Sequence, residues 1–314
     1  MISLRQHAIS IVAIFLALAL GVVLGSQTLA ADLLGGLRSD KAELRTQLDA
    51  ATEQNRLLTD QLAVTDEFLS RSAGAVVQGT LADRTVLVFT TPDAVPEDVD
   101  TVSRNLEAAG AAITGRIALN TPFLDTGEGD RMRSALINVI PAGAQLRTGA
   151  TDQGSIAGDL LGQVLLLDPV TAQPRSTPEE FGLVLETLRG GGFLAYGEDP
   201  VRAGQLAVVI TGDMPDAGNG SRGVSLARFA GGLDSASAGV VLAGRPGAVN
   251  GQGPIDVVRS DTPLSAAVTT VDNLDRQIGR VTAVLGLSEQ LNGGAGRYGT
   301  AAKATALTVA TPSS

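Results

Sequence analysis

A long uncharged segment near the amino terminus places the strongest constraint on this chain. Charged side chains stop at Arg5 and resume at Asp32, and Ile9 to Leu24 is almost purely Ile, Val, Ala, Leu and Phe. A helix of about 20 such residues matches the roughly 30 Å hydrocarbon core of a bilayer. We therefore expect residues 1–30 to form a transmembrane anchor. The alternative is a cleaved signal peptide, whose candidate cleavage site at residues 28–30 carries Thr where Ala is usual.

The charges beside this segment predict its orientation. Arg5 and the α-amino group precede it, whereas Asp32, Arg38, Asp40 and Lys41 mix both signs after it. Lys and Arg close to a span favour the cytoplasmic side. The pattern predicts a single-pass protein with a cytoplasmic amino terminus and an extracytoplasmic remainder.

The composition excludes several classes of function. The 314 residues carry a formal net charge of −10, which repels phosphate backbones and argues against nucleic-acid binding. The absence of cysteine excludes disulfides, thiolate catalysis and cysteine-based metal sites. Hydrophobic residues make up 44% of the chain, which indicates a globular region after the anchor.

Residues 31–71 follow a heptad pattern that predicts a coiled coil. Lys41 and Asn55 fall at a positions, where a polar residue favours a two-stranded parallel coil, and Asp40 at g would face Arg45 at e of a partner helix. The alternatives are a single amphipathic helix folded onto its own domain, or pairing with a different protein. The expected core residues are Leu37, Lys41, Leu44, Leu48, Asn55, Leu58, Leu62 and Leu69.

Alternating strands and helices after a Gly- and Ala-rich linker at 72–84 predict an α/β domain over residues 85–291. We expect a Rossmann-like, mostly parallel sheet between two helical layers, and a disordered tail at 292–314. The expected strands are Thr85 to Thr90, Ala112 to Ala118, Gly192 to Tyr196, Leu206 to Thr211, Gly239 to Ala243 and Ile255 to Arg259. The expected helices are Pro96 to Ala109, Arg131 to Ile140, Ser155 to Leu165, Pro178 to Arg189, Ser225 to Gly232 and Val268 to Leu291.

Such a sheet binds ligands at the carboxyl ends of its strands, here Thr90 to Asp93, Gly212 to Asp216 and Gly244 to Pro246. The sequence carries no Gly-x-Gly-x-x-Gly after the first strand and no Gly-Lys-Ser/Thr anywhere. Residues 190–192, three glycines before a strand, indicate a turn. We expect no cofactor.

Catalytic groupings are also missing from the sequence. The single histidine, His7, lies at the cytoplasmic edge of the anchor, so no Ser-His-Asp or His-metal site can form outside. Asp213 and Asp216 could hold Mg²⁺, although such residues more often cap or turn a loop. No general base accompanies Ser221, so it is not a candidate nucleophile, and the residues around it indicate a turn. We therefore predict no enzymatic activity, and no catalytic or metal site residues.

Several motifs lie at both ends of the chain. At the amino end these are residues 1–8, residues 15–26, and Gly79-Thr80-Leu81 with Val86 to Phe89. At the carboxyl end they are Val271-Asp272-Asn273, Gly279-Arg280-Val281, Val284-Leu285-Gly286-Leu287, Glu289-Gln290-Leu291 and Gly296-Arg297-Tyr298-Gly299. Together these motifs resemble the mycobacterial copper transport protein B family of actinobacteria. The resemblance implies a role in copper homeostasis, described for the family as efflux through the cell envelope.

Two functional classes follow, and the residues themselves do not point to direct copper binding. Copper prefers thiolate, thioether or imidazole ligands, yet the chain offers only His7 and the scattered Met1, Met132 and Met214. One class is a copper-homeostasis component whose path is supplied by oligomers or partners. The other is a coiled-coil scaffold of the envelope, and the resemblance of some relatives to partners of a septal membrane protein implies regulation of peptidoglycan hydrolysis at division. The expected partners are the membrane and either a second copy or another envelope protein.

Overall fold

The computed structural model describes residues 4–139, 152–214 and 221–310, with side chains described for 6–25 and from Asp40 onward within these ranges. The chain divides into two compact units, Met1–Thr65 and Asp66–Ser314. Each unit is described by itself below.

The first unit is helical from Leu4 onward. Helix α1 spans Leu4–Val77, and its last twelve residues belong to the second unit. Its segment Gln6–Gly25 has a mean hydropathy of 2.8, and none of its side chains is buried. Length and composition therefore suit this segment to cross a membrane, as the uncharged run predicts.

The second unit is built on one seven-stranded sheet. The strand order is β3-β2-β1-β4-β5-β6-β7, and all neighbours pair in parallel except β2 with β3, which pair antiparallel. The sheet is therefore mixed, which corrects the expected mostly parallel sheet. The strands are β1 Thr85–Thr90, β2 Ala112–Leu119, β3 Leu194–Tyr196, β4 Leu206–Ile210, β5 Val240–Ala243, β6 Thr269–Val271 and β7 Arg297–Tyr298.

The antiparallel edge strand β3 follows a tight glycine turn. The chain enters β3 from helix α6, Pro178–Gly190, through a turn in which Gly192 adopts a φ of 75°. That left-handed conformation favours glycine. The predicted turn is present at residues 191–192, and Gly190 is the last residue of α6.

The central strands are buried on both faces of the sheet, and helices cover both faces. Leu87 and Phe89 of β1 belong to one hydrophobic cluster, and Val86 and Val88 belong to a second. Successive side chains of a strand point to opposite faces, so each cluster fills one side. The remaining helices are α2 Pro96–Ala108, α3 Thr121–Leu124, α4 Gly129–Ile137, α5 Gln153–Leu165, α7 Ser221–Asp234, α8 Pro254–Ser260, α9 Thr262–Ala267 and α10 Gln277–Leu291.

Small residues allow α5 and α7 to pack closely. A Cβ atom added to Gly158 would lie 2.4 Å from the carbonyl oxygen of Phe229, and one added to Gly154 would lie 2.2 Å from that of Ser225. Contacts this short would force the two backbones apart. The high glycine content thus serves helix packing here.

Two predicted elements and one predicted turn were wrong. Ile255 to Arg259 reads as a strand because of its β-branched residues, yet it lies in α8, which Pro254 begins at its first position. Val268 to Leu291 contains β6 followed by α10, because Asp272 and Asn273 end the strand before the helix begins. Ser221, predicted in a turn, begins α7.

The predicted linker and tail also differ from the structure. Residues 72–77 continue α1, and Ala73, Val77 and Leu81 are fully buried against the sheet. In the tail, residues 297–298 form β7, and Tyr298 is buried. Composition suggested flexibility, but these few apolar side chains hold both segments on the second unit. Residues 311–314 of the tail lie outside the described residues.

Candidate functional site

The carboxyl ends of the central strands form the candidate functional site. The loop after β1 contacts the loop after β4, since a Cβ atom on Gly212 would lie 2.1 Å from the carbonyl oxygen of Asp93. The backbone N–H of Arg245, after β5, donates to the carbonyl of Gly212 at 3.3 Å. The three predicted ligand loops therefore meet at one edge of the sheet, except for residues 215 and 216, which lie outside the described residues.

The crevice between β1 and β4 is where the strand order reverses, the usual ligand position in an open α/β sheet. Here Asp93 fills it. Its carboxylate accepts the hydroxyl of Thr91 at 2.6 Å and the backbone N–H of Met214 at 2.6 Å. The Thr91 and Thr211 hydroxyl oxygens are 3.1 Å apart. The crevice is thus closed by hydrogen bonds among the chain's own groups.

A buried ionic cluster lies beside this crevice and centres on Asp98, in the first turn of α2. One Asp98 oxygen accepts Arg280 Nη2 at 2.7 Å, and the other accepts Arg245 Nε at 2.7 Å. The side chain of Asp98 is 1% exposed, that of Arg280 10% and that of Arg245 26%. Hydrogen bonding to Asp98 raises the pKa of Arg245 above its ordinary value. The Arg245 guanidinium therefore remains charged.

Two further carboxylates border this cluster. Asp213 accepts the backbone N–H of Gly247 at 2.8 Å, so one of its oxygens is already used. Burial raises the pKa of Asp275 above its ordinary value. Within the described residues, no three His, Cys, Asp or Glu side chains are grouped as a metal site would need. The Mg²⁺ site considered at Asp213 and Asp216 has one partner outside the described residues.

A second buried ion pair holds the carboxyl-terminal segment. Arg259 Nη1 donates to Asp272 at 2.6 Å, and both side chains are 1% exposed. Arg259 Nη2 also donates to the carbonyl of Tyr298 at 2.7 Å, and Asp272 accepts the N–H of Thr300 at 2.8 Å. Burial lowers the pKa of Arg259 below its ordinary value, although the Asp272 carboxylate opposes this effect.

The side-chain hydroxyl of Tyr298 is hydrogen-bonded as well as its backbone carbonyl. Its hydroxyl donates to Glu289 at 2.7 Å, and burial together with this contact raises the tyrosine pKa. The motifs around Asp272, Glu289 and Tyr298 that carry the family resemblance thus contact one another. Their shared role in this structure is to fasten β7 to the sheet.

The residues of these ionic clusters were not identified from the sequence as site residues. The sequence marks Asp98 only as an acid near the start of the helix expected at Pro96, and Arg280 only as part of the Gly279-Arg280-Val281 motif. Arg245 and Arg280 lie 147 and 182 positions from Asp98 along the chain. A charged residue among buried apolar ones, as at Arg259 and Arg280, is the signal that could have found them.

The predicted coiled-coil core residues lie on α1. Leu44 and Leu48 are 65% and 66% exposed, and Leu58 and Leu62 are each 48% exposed. Lys41 and Asn55 are exposed, Leu69 is half-buried, and Leu37 lies outside the described side chains.

Ion pairs lie on the other side of the same helix. Arg56 bonds to Glu53 at 2.8 Å and to Asp60 at 2.9 Å, and in the heptad these residues occupy b and f positions. Positions b and f face away from a coiled-coil seam. The exposed leucines and the charged residues therefore occupy different faces of α1.

The candidate copper ligands are dispersed. Met132 is fully buried in α4 and contacts the Gln153 amide, and Met214 is buried in the loop after β4. His7 lies in the apolar helix, and Met1 lies outside the described residues. The second unit therefore offers two thioethers, and neither imidazole nor thiolate, as soft ligands for copper.

Comparisons with known proteins identify relatives along the whole chain. Residues 1–309 match the family described as "Copper transport outer membrane protein, MctB". The protein named Copper transporter MctB from Mycobacterium tuberculosis (strain ATCC 25618 / H37Rv) is 41% identical over 312 residues, covering 98% of this chain and 99% of the relative. Its namesake from Mycobacterium leprae (strain TN) is 42% identical over 315 residues, with the same coverage.

Proposed function

The chain belongs to the MctB copper transport family, and from this premise we propose that it is a membrane-anchored component of copper homeostasis. The observation that carries the proposal is the match over residues 1–309, together with at least 41% identity to named copper transporters over 98% of the chain. The apolar helix Gln6–Gly25 supports attachment to a membrane. The family is one of transporters rather than enzymes.

The second unit lies outside the cytoplasm in this proposal. Arg5 precedes the apolar helix, and the positive-inside rule favours its side as cytoplasmic. The strand order β3-β2-β1-β4-β5-β6 supports a Rossmann-like arrangement, although β3 runs antiparallel. We propose no bound cofactor, because side chains of the protein itself occupy the crevice at the carboxyl edge.

Copper enters this proposal as cargo rather than as a resident cofactor. The described residues include two methionines and one histidine as soft ligands, and a single helix cannot enclose a pore. We therefore propose that assembly with other chains supplies the path. We expect the full-length protein in detergent to bind Cu(I) no more tightly than isolated thioethers do. Competition with a Cu(I) chelator measures this affinity. A stoichiometric complex that survives a nanomolar chelator would contradict this.

The cellular experiment tests the copper role directly. A strain lacking this chain should accumulate more copper and grow less well at elevated copper than its parent, and the full chain should restore both. A matched variant with two aspartates in the apolar helix, Val12→Asp and Leu16→Asp, should not restore them, because each buried charge disfavours insertion. Unchanged copper content in the deletion strain would overturn the proposal.

A second candidate function is a non-enzymatic scaffold of the envelope, including a regulator of septal peptidoglycan hydrolysis. The exposed leucines Leu44, Leu48, Leu58 and Leu62, opposite a charged face, favour this candidate. We propose that they form the seam of a parallel two-stranded coiled coil with a second copy. Asp40 of one chain would face Arg45 of the other, and no nucleic acid is involved. Cell-division defects without copper sensitivity in the deletion strain would favour this function.

A further inference from the structure

A cleft of about 450 Å³ lies at the amino ends of strands β1, β4 and β5, on the edge of the sheet opposite the candidate functional site. Its walls come from the residues just before these strands, from the loop after α5 and from the end of α10. We call it the amino-edge cleft, and its lining includes Arg84, Leu167, Asp168, Gln205, Ser237 and Leu291. Clefts of roughly 300–1,000 Å³ hold small organic ligands. The cleft therefore has the size of a small-molecule site.

Three side chains of the amino-edge cleft have hydrogen-bond donors that the described residues leave unused. The guanidinium of Arg84 has neither an ion pair nor a hydrogen bond among these residues. Gln205 accepts the N–H of Thr85 at 3.3 Å through its amide oxygen, and its amide nitrogen has no partner among them. Ser237 is 7% exposed and accepts the N–H of Gly239 at 3.3 Å, but its own O–H has no acceptor in the described part of the chain. Because buried hydroxyls normally donate as well as accept, these donors suit the acceptor oxygens of a ligand.

The cleft also carries a positive charge without a counter-charge on its walls. Asp168 is the one acid among the described lining residues, and Arg175 Nε already donates to it at 3.2 Å. Two backbone N–H groups of the same loop donate to its other oxygen at 2.9 and 2.8 Å. The last carbonyls of α10 already accept N–H groups of the turn that follows. Arg84 is therefore left to attract an anion, since its neighbour Asp83 does not line the cleft.

The loop after α5 gives the cleft a preformed apolar rim. Ala172 has a left-handed φ of 54°, which is disfavoured for a residue with a Cβ atom. Its backbone N–H donates to the carbonyl of Asp168 at 2.9 Å, which holds the loop in this conformation. Val170, at the tip, is 90% exposed, and Leu167 and Pro169 continue the apolar wall. A preformed cleft with apolar walls and a few polar groups is typical of sites for small organic molecules.

We propose that the amino-edge cleft binds a small organic anion. Its carboxylate contacts the donors of Arg84, Gln205 and Ser237, because a guanidinium group and neutral donors together satisfy several carboxylate oxygen lone pairs. Its apolar body packs against the loop after α5. This inference concerns the second unit alone and depends neither on copper nor on the coiled coil.

The test uses the full chain in detergent, with phenylacetate as the probe and ligand-detected NMR as the measurement. Phenylacetate should bind saturably with a Kd below about 1 mM. Phenylacetamide, which has the same shape without the charge, should bind at least about tenfold more weakly, because it gains no charge-assisted contact with Arg84. Protein-free detergent micelles measure the partition of each probe, which is subtracted.

Variants at exposed positions locate the binding without disturbing the fold. Arg84→Gln should weaken phenylacetate binding at least about tenfold. Arg202→Gln is the matched control, because Arg202 is also exposed and has no ion pair among the described residues, but lines a separate groove beside Phe181. This control should bind phenylacetate as the unchanged chain does.

The rim offers a second, opposite pair of changes. Val170→Glu should weaken phenylacetate binding and Val170→Lys should strengthen it, each by about two- to fivefold, because a charge at the rim acts on the anion through water. Circular dichroism confirms that each variant is folded. Equal binding of the carboxylate and the amide, unchanged binding in Arg84→Gln, or no saturable binding by the unchanged chain would overturn the proposal. Loss of binding in Arg202→Gln would also overturn it, because the probe would then occupy the other groove.

Discussion

The two units of this protein differ in how far their apolar side chains are buried. In the second unit, strands β4 and β5 bury every residue, and most of its large aliphatic side chains belong to two buried clusters. In the first unit, the apolar side chains from Ile9 to Leu24 and the leucines at 44, 48, 58 and 62 are all about half exposed or more. Exposed apolar surface on this scale is typical of contact with lipid or with another chain. The second unit buries its own core, whereas the first unit leaves its apolar side chains exposed.

The largest effect is expected at the buried ion pair of the second unit. Asp272→Ala leaves the Arg259 guanidinium buried without its partner, which should cost about 3–5 kcal/mol of unfolding free energy. Urea denaturation followed by circular dichroism measures this cost. Lys303→Ala removes a more exposed pair with Asp256 and should change stability by less than about 1 kcal/mol. Equal losses of unfolding free energy in the two variants would mean that burial does not determine how much an ion pair contributes to stability.

The same truncation in each unit compares the two regions directly. Leu160→Ala, at a fully buried position in α5, should cost about 2–5 kcal/mol because it leaves a cavity. Leu48→Ala, at a position 66% exposed, should leave unfolding of the second unit unchanged within about 0.5 kcal/mol. It should instead weaken self-association of the full chain. Loss of second-unit stability in Leu48→Ala would contradict the separation of the two regions.

A smaller effect is expected at Asp168, in the surface loop after α5. Hydrogen bonds from the backbone N–H groups of Thr171 and Val170 lower the pKa of this carboxyl from 3.8 to about 2. A lowered pKa stabilises the folded state above pH 3.8, and this contribution disappears as the pH falls toward 2. Amide exchange of Thr171 should therefore accelerate over that interval. In Asp168→Asn the exchange should be fast throughout, and an unchanged pH profile would contradict the assignment.

The sequence predicted local elements better than their assembly. Thr85 to Thr90 and Pro96 to Ala108 were found because a continuous apolar run and a Pro-Glu-Asp helix start are local signals. Ile255 to Arg259 was misassigned because β-branched residues favour strands unless packing decides otherwise, and here α8 packs on the sheet side that holds Ile255 and Val258.

The candidate site was predictable in position but not in chemistry. The three loops at the carboxyl edge follow from strand order, which the alternating pattern suggests. That Asp98 meets Arg245 and Arg280 depends on elements far apart in the chain, and no local pattern encodes such a meeting. The predicted seam on α1 is a periodic signal, but a single chain contains only half of the contact that it predicts.

The contrast between the two units rests on our proposal that the exposed leucine face of α1 is a seam between two copies, and cysteine crosslinking in native membranes tests that proposal most directly. The chain has no cysteine, so a single introduced thiol reports without background. Ala51→Cys, at a d position, should form disulfide-linked homodimers on mild oxidation, because d residues face each other in a parallel pair. Glu53→Cys, at an outward f position, should remain monomeric. Equal crosslinking of both variants, or linkage of Ala51→Cys only to a protein of different mass, would contradict the account.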